Sequence, residues 1–103
     1  MKEVSQGDVV KLSGFRNLFL VVSKNAFIRS TGMFHVCPAL EKSHPGPVHI
    51  QVSLLYEKRT FVVICEQIKM IDPNERGVGV VDRISYRDIM EVSDTIQGIY
   101  EYN

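Results

Sequence analysis

Glu66 is a candidate catalytic residue because its charged side chain directly follows an apolar stretch of the sequence. The residues before it, Phe61 to Cys65, read FVVIC, and such a run predicts a strand that is buried on at least one face. A carboxylate at its end must be paired, solvated or protonated, because burial of a bare charge is costly. Perturbed carboxylates are frequent in functional sites. Glu66 is therefore a candidate base, or a structural carboxylate that accepts backbone N–H bonds.

Histidines are the other candidates for proton transfer, since imidazole titrates near neutral pH. The segment Val48–Ser53 alternates strictly between apolar and polar residues. This alternation predicts a strand whose apolar side chains face the core and whose His49 faces outward. His49 is the preferred acid or base, because the neighbouring loop also carries Lys42 and His44. The alternative interpretation is an ordinary polar surface residue.

Basic and polar residues that could bind RNA are found in two predicted loops, close to the aromatic residues Phe27 and Phe34. Cations interleaved with aromatic rings can follow a single nucleic-acid strand through charge and stacking. The alternative is a solvated loop in which Phe27 plugs the core. The candidate RNA-binding residues are Lys24, Asn25, Arg29 and Lys42.

A metal site is the weakest of the chemical possibilities. His35 and Cys37 are two residues apart and share one face of a predicted strand, and Cys65 could approach from another strand. The chain has only two cysteines and no C-x-x-C pair, whereas structural zinc sites need more ligands. We predict no metal and no cofactor, and we expect both cysteines to be reduced core residues.

Composition indicates one ordinary globular domain that spans residues 1–103. Hydrophobic residues make up 45% of the chain, charged residues make up 23%, and the formal net charge is zero. Zero net charge argues against binding nucleic acid through bulk electrostatics, although a local basic groove remains compatible with it. No apolar run approaches the roughly 20 residues of a membrane span, and the N-terminus lacks a signal-peptide core. We expect a cytoplasmic protein with no membrane association.

Many short strands followed by one terminal helix are predicted along the chain. Ser85 is a suitable N-cap with Asp88 three residues later, and an apolar stripe at helical spacing follows it. One helical turn is predicted at Asn25–Ile28. This order predicts a mainly β, α+β fold in which a small, strongly curved sheet or SH3-like barrel carries a C-terminal helix. The predicted strands are Val9–Leu12, Leu18–Val22, Met33–Cys37 (closed by Pro38), Val48–Ser53, Phe61–Cys65, Gln67–Ile71 and Gly79–Ile84.

The order of several short motifs resembles that of the PemK/MazF family, the RNA-cleaving toxins of bacterial toxin–antitoxin pairs. The family pattern of apolar strand, acidic residue and Gln, polar strand and Arg-Gly is similar to Thr60–Gly77, which reads TFVVICEQIKMIDPNERG. A second block, from Phe19 to Pro38, is similar to the family's second and third strands. Gly7–Val10 resembles its usual opening. The resemblance implies the barrel of the MazF/CcdB type.

The resemblance also implies a reaction. Metal-independent RNA cleavage needs a base for the 2′-hydroxyl, an acid for the leaving oxygen and a cation for the phosphate. Arg16 lies where the family carries its Arg, and as a phosphate clamp it would use its planar fork; the alternative is a surface residue at a turn. Glu66 or His49 would then transfer protons. The implied function is a metal-independent endoribonuclease that acts on single-stranded RNA, forms a homodimer and binds a cognate antitoxin.

Departures from the family pattern support an alternative function. The family Thr after the third strand aligns near Leu40, which offers no hydroxyl group. Asn17 replaces the Pro that follows the Arg, and Ile64 stands where some members carry an Arg. A non-catalytic binding module of the same fold, which binds an antitoxin, nucleic acid or DNA gyrase, is the alternative. The fold alone does not decide between the two.

Overall fold

The computed structural model describes residues 3–41 and 46–100. The elements are β1 (Asp8–Leu12), β2 (Leu18–Val21), α1 (Asn25–Thr31), β3 (Phe34–Leu40), β4 (His49–Ser53), β5 (Thr60–Ile64), β6 (Lys69–Ile71), β7 (Val78–Arg83) and α2 (Tyr86–Ile99). All the strand pairs are antiparallel, in the order β4-β5-β3-β2-β1-β7, and β6 pairs with β3 beside β5. This architecture confirms the predicted mainly β, α+β class with a C-terminal helix.

The sheet is open and curved, and it does not close into the predicted barrel. Its terminal strands, β4 and β7, are not paired with each other in the described ranges. The loop after β4 connects them, because the backbone N–H of Leu55 donates to the carbonyl of Arg83 at 2.9 Å. The Asp82 carboxylate accepts the next two N–H groups of that loop, from Tyr56 and Glu57. A loop and a carboxylate thus replace the ladder that would close a barrel.

Strand β3 continues through Pro38, so the prediction that proline ends this strand is wrong. Proline lacks an N–H and is tolerated where no ladder bond is required. The N–H and carbonyl of His35 both bond towards β2, so the alternating backbone of β3 turns the Pro38 nitrogen towards the opposite side. On that side Pro38 falls between the residues paired with β6 and those paired with β5. The missing N–H therefore costs no strand pairing.

Helix α2 begins and packs as its sequence pattern predicts. The Ser85 hydroxyl accepts the backbone N–H of Asp88 at 3.2 Å, which satisfies one of the unpaired donors at the helix start. Val92 is buried against the sheet, and Ile89 and Ile96 pack beside it. Neither helix in the described ranges is long and apolar enough to cross a membrane.

Both cysteines lie in the core. Cys37 and Cys65 are free thiols with no exposed surface, and the Cys37 Sγ lies 3.7 Å from the carbonyl oxygen of Cys65. Burial is the main cause that raises the pKa of Cys37 to about 12 and that of Cys65 to about 11. Thiols that are buried and protonated in this way are poor nucleophiles, which agrees with the predicted core role.

Candidate functional site

Arg16 lies on the rim of an open cleft at one end of the sheet. The turn that precedes it contains Gly14, whose φ of 92° favours glycine. The Arg16 side chain is exposed, and it forms no hydrogen bond or ion pair with the other residues that the structure describes. The cleft has a volume of about 450 Å³, and we call it the Arg16 cleft. Its lining residues are Lys11, Arg16, Asn17, Leu18, Ala39, Leu40, Glu41, Glu57, Arg59, Phe61 and Val81.

Leu40 contributes to the same cleft from the end of β3. The pairing of β2 with β3 sets Leu18 opposite Ala39, so the residues before β2 and after β3 meet at this edge. The position aligned with the family Thr is therefore close to Arg16, as the resemblance implies, and it presents a partly buried aliphatic side chain. Any group that moves protons in this cleft must come from another residue.

Arg59 holds the acidic side chains of the cleft in place. It forms ion pairs with Glu41 and, at 2.8 Å, with Glu57, and its guanidinium lies 5.2 Å from the centre of the Phe61 ring. Hydrogen bonding to Glu57, with a further contribution from Glu41, raises the pKa of Arg59. This cluster is not evident from the sequence, because Glu41 and Arg59 are 18 residues apart and meet through the pairing of β3 with β5.

The predicted proton-transfer residues His49 and Glu66 do meet, at a different place. The His49 Nε2 lies 3.2 Å from the Glu66 Oε2, and the Glu66 side chain is 44% exposed. The pKa of Glu66 is lowered, mainly because the carboxylate is stabilised by the backbone N–H of the same residue. His49 lowers this pKa further, while partial burial opposes both effects. The Glu66 carboxylate thus pairs with an imidazole.

Arg16 is not brought to the His49–Glu66 pair within one chain. Leu18, Ala39 and Val63 lie in one row across β2, β3 and β5. From that row Arg16 lies in the direction of Glu41, whereas Glu66 follows Val63 in the other direction along β3. Neither His49 nor Glu66 lines the Arg16 cleft, so Arg16 and this pair lie at different places in a single protomer.

The predicted RNA-binding residues lie at the opposite end of β2 from Arg16. Lys24, Asn25 and Arg29 are exposed on or beside α1, and the Asn25 Oδ1 accepts the backbone N–H of Gln6 at 2.7 Å. Phe27 packs on the His35 ring with 5.1 Å between centroids. Phe34 is buried and cannot stack on a base. Lys42 and His44 lie outside the described residues.

No metal centre is formed by the part of the chain that the structure describes. There, no group of three or more His, Cys, Asp or Glu side chains lies close enough to hold an ion.

The coupling between Glu66 and His49 is measurable by titration. His49→Ala should raise the pKa of Glu66 but leave it below the ordinary value, because the backbone N–H still favours the carboxylate. A lowered pKa stabilises the fold above the unfolded-state value and loses that effect as pH falls through the folded-state value. Side-chain carboxyl ¹³C NMR measures the change, with His35→Ala as control. An unchanged Glu66 pKa in His49→Ala would contradict the pairing.

The chain is similar in fold to several solved structures. The chain aligns over 97% of its length, and over 97% of the other chain, with a MazE–MazF crystal structure from Deinococcus radiodurans at 20% identity and a TM-score of 0.79. MazF alone from the same organism gives 19% identity and a TM-score of 0.77, with 93% and 94% covered. An endoribonuclease with its cognate antitoxin, from a mycobacterial species, gives 18% and 0.73, with 98% and 100% covered. At these identities the likeness shows a shared fold.

Family membership rests on the sequence itself. No curated protein matches the chain. The family model for the PemK-like, MazF-like toxins of type II toxin–antitoxin systems matches residues 7–100, which is nearly the whole chain. This protein therefore belongs to the PemK/MazF-like toxin family.

Proposed function

We propose that this protein is a metal-independent endoribonuclease that cuts single-stranded RNA in the Arg16 cleft. The observation that supports this most strongly is the position of Arg16, whose exposed guanidinium lines an open cleft together with a second arginine and two carboxylates. RNA cleavage through the 2′-hydroxyl needs a cation on the phosphate and a proton acceptor near it. The cleft supplies both kinds of group from one chain.

Charge in the cleft is suited to a phosphodiester although the whole chain is neutral. Three cationic side chains, Lys11, Arg16 and Arg59, line it with only two acidic ones. Local charge attracts an anionic strand more effectively than the net charge suggests. The planar guanidinium of Arg16 can bind two phosphate oxygens at once. A volume of about 450 Å³ lies in the range of small-ligand sites and fits part of one strand.

The partners follow from the same family membership. The solved relatives include MazE–MazF and a toxin with its cognate antitoxin, so we propose a cognate antitoxin and a homodimer for this chain, in the cytoplasm. Exposed apolar side chains beside the edge strand β7, those of Leu55, Tyr56 and Val81, offer a surface for such contacts. Single apolar residues at a surface are common, but clusters of them favour protein binding.

A binding module without catalysis is the second candidate function. It is favoured by Leu40, which puts an aliphatic side chain where the family carries a hydroxyl. Such a protein would bind an antitoxin, nucleic acid or DNA gyrase through the same fold and would leave RNA intact.

Incubation with a mixed-sequence single-stranded RNA in EDTA distinguishes the two functions. We expect cleavage products with 2′,3′-cyclic phosphate and 5′-hydroxyl ends, because the 2′-hydroxyl of the substrate is the nucleophile. DNA of the same sequence lacks that hydroxyl and should stay intact. Intact RNA at a large excess of folded protein would exclude the nuclease and leave the binding module.

A further inference from the structure

We propose that Glu41 is the residue that takes the proton from the 2′-hydroxyl in the Arg16 cleft. The proposal rests on the proposed function and assigns its missing proton acceptor. It starts from the register of β2 with β3, which pairs Leu18 with Ala39. Arg16 lies two residues before Leu18 and Glu41 two residues after Ala39, so both follow from the same edge of this strand pair, and both line the Arg16 cleft.

Glu41 is held in this position by Arg59. The ion pair between them joins the end of β3 to the residue just before β5. Arg59 is itself fixed by Glu57 at 2.8 Å and by the Phe61 ring below its guanidinium. A carboxylate held from one side and half exposed on the other is both positioned and open to a ligand.

Other acidic groups fit the role less well. Glu57 is bonded to Arg59 through both Nε and Nη2, two residues away on the same loop, and this loop does not continue a strand that pairs with β2. Glu66 follows β5 in the direction away from Arg16 and does not line the Arg16 cleft. Leu40 lacks a proton-accepting group altogether. Of these, Glu41 alone is a carboxylate that lines the Arg16 cleft from the end of the strand paired with β2.

The step balances with the groups that are present. The 2′ O–H bond breaks and its proton passes to the Glu41 carboxylate, while the 2′ oxygen forms a bond to phosphorus. The bond from phosphorus to the 5′ oxygen then breaks, and that oxygen takes a proton from water in the open cleft; the hydroxide left behind takes the proton held by Glu41, which restores water and the carboxylate. As Glu41 becomes neutral, Arg59 keeps its charge and can donate to the phosphate oxygens, where negative charge develops in the transition state.

Glu41→Gln tests the assignment, because it removes the proton acceptor and keeps the shape. Single-turnover cleavage of an RNA oligonucleotide in EDTA should slow by about 100-fold or more, while binding of the same RNA with 2′-O-methyl groups changes by less than about threefold. Glu41→Asp should recover part of the rate. The matched control is Glu75→Gln, an exposed residue outside the Arg16 cleft, which should cut at the unsubstituted rate.

Each outcome separates this proposal from the proposed function. Cleavage by Glu41→Gln at the unsubstituted rate would overturn the assignment and leave the nuclease intact. Loss of cleavage in Glu66→Gln but not in Glu41→Gln would move proton transfer to the His49–Glu66 pair. Equal losses in the Gln and Asp variants together with weaker RNA binding would reduce Glu41 to a structural partner of Arg59. Absence of cleavage by the unsubstituted protein would overturn the proposed function first.

Discussion

Arg16→Ala should slow RNA cleavage by roughly 100-fold to 1000-fold, the usual cost of removing one donor that stabilises transition-state charge. The side chain is exposed and forms no bond with the described residues, so its removal leaves the fold and its thermal unfolding temperature nearly unchanged. The phosphate loses a bidentate cation. Single-turnover cleavage of an RNA oligonucleotide in EDTA measures the effect.

Two variants make this experiment specific. Arg16→Lys keeps the charge but loses the planar fork, so its rate should lie between those of the alanine variant and the unsubstituted protein. Arg87→Ala removes an exposed arginine of α2 that is outside the Arg16 cleft, and it should cut normally. Cleavage by Arg16→Ala at the unsubstituted rate would show that the cleft is not the place of reaction.

Asp82→Asn should lower the free energy of unfolding by about 3 kcal/mol, since hydrogen bonds to a charged group contribute roughly 1.5–3 kcal/mol each. Asp82 is 2% exposed. Its carboxylate accepts backbone N–H groups of Tyr56 at 2.9 Å, Glu57 at 3.0 Å and Arg83 at 2.7 Å. An asparagine turns an N–H group towards one of these donors and leaves it unpaired. Urea unfolding at pH 7 measures the change.

The same carboxylate predicts how stability depends on pH. Burial opposes ionisation of Asp82 and is the largest single influence on it, but the surrounding backbone N–H groups together outweigh it and lower its pKa. Its stabilising effect is complete above the unfolded-state value, near pH 4, and disappears as pH falls through the folded-state value. The difference between the unsubstituted protein and Asp82→Asn should therefore shrink in acid.

Asp94→Asn is the matched control for this experiment, because Asp94 is exposed on α2. We expect a change within about 0.5 kcal/mol for such a surface site. An Asp82→Asn variant as stable as this control would contradict the role of Asp82 in joining the ends of the sheet. Asp82 also holds the loop that carries Glu57 and Arg59, so its loss should reduce cleavage as well.

Local patterns in the sequence were sufficient to predict most of the elements. The apolar runs predict the strands, and the Ser85 cap with its apolar stripe predicts α2. The pattern failed at Pro38, where tolerance of a missing N–H depends on which strands flank β3. It also missed the joining of β4 to β7 through Asp82, because that contact exists only once the sheet curves.

For the candidate site as well, single residues could be predicted from the sequence, but contacts between distant residues could not. The sequence identified Arg16, Glu66 and His49 individually, and His49 does pair with Glu66. The sequence could not show that Arg16 and the His49–Glu66 pair lie towards different ends of β3, since that depends on how the strands pair. It also overlooked Glu41 and Arg59, which come together only through the pairing of β3 with β5. Residue type thus predicts candidates, and pairing decides which of them can act together.

The position of bound RNA tests the central claim, that RNA is cut in the Arg16 cleft, most directly. We would titrate ¹⁵N-labelled protein with single-stranded RNA carrying 2′-O-methyl groups, which blocks the nucleophile, and follow amide shifts by NMR. We expect the largest amide shift changes at the residues that line the cleft, among them Lys11, Arg16, Leu40, Glu41 and Arg59. Changes confined to α1 or to the surroundings of His49 and Glu66, or no change at saturating RNA, would contradict it.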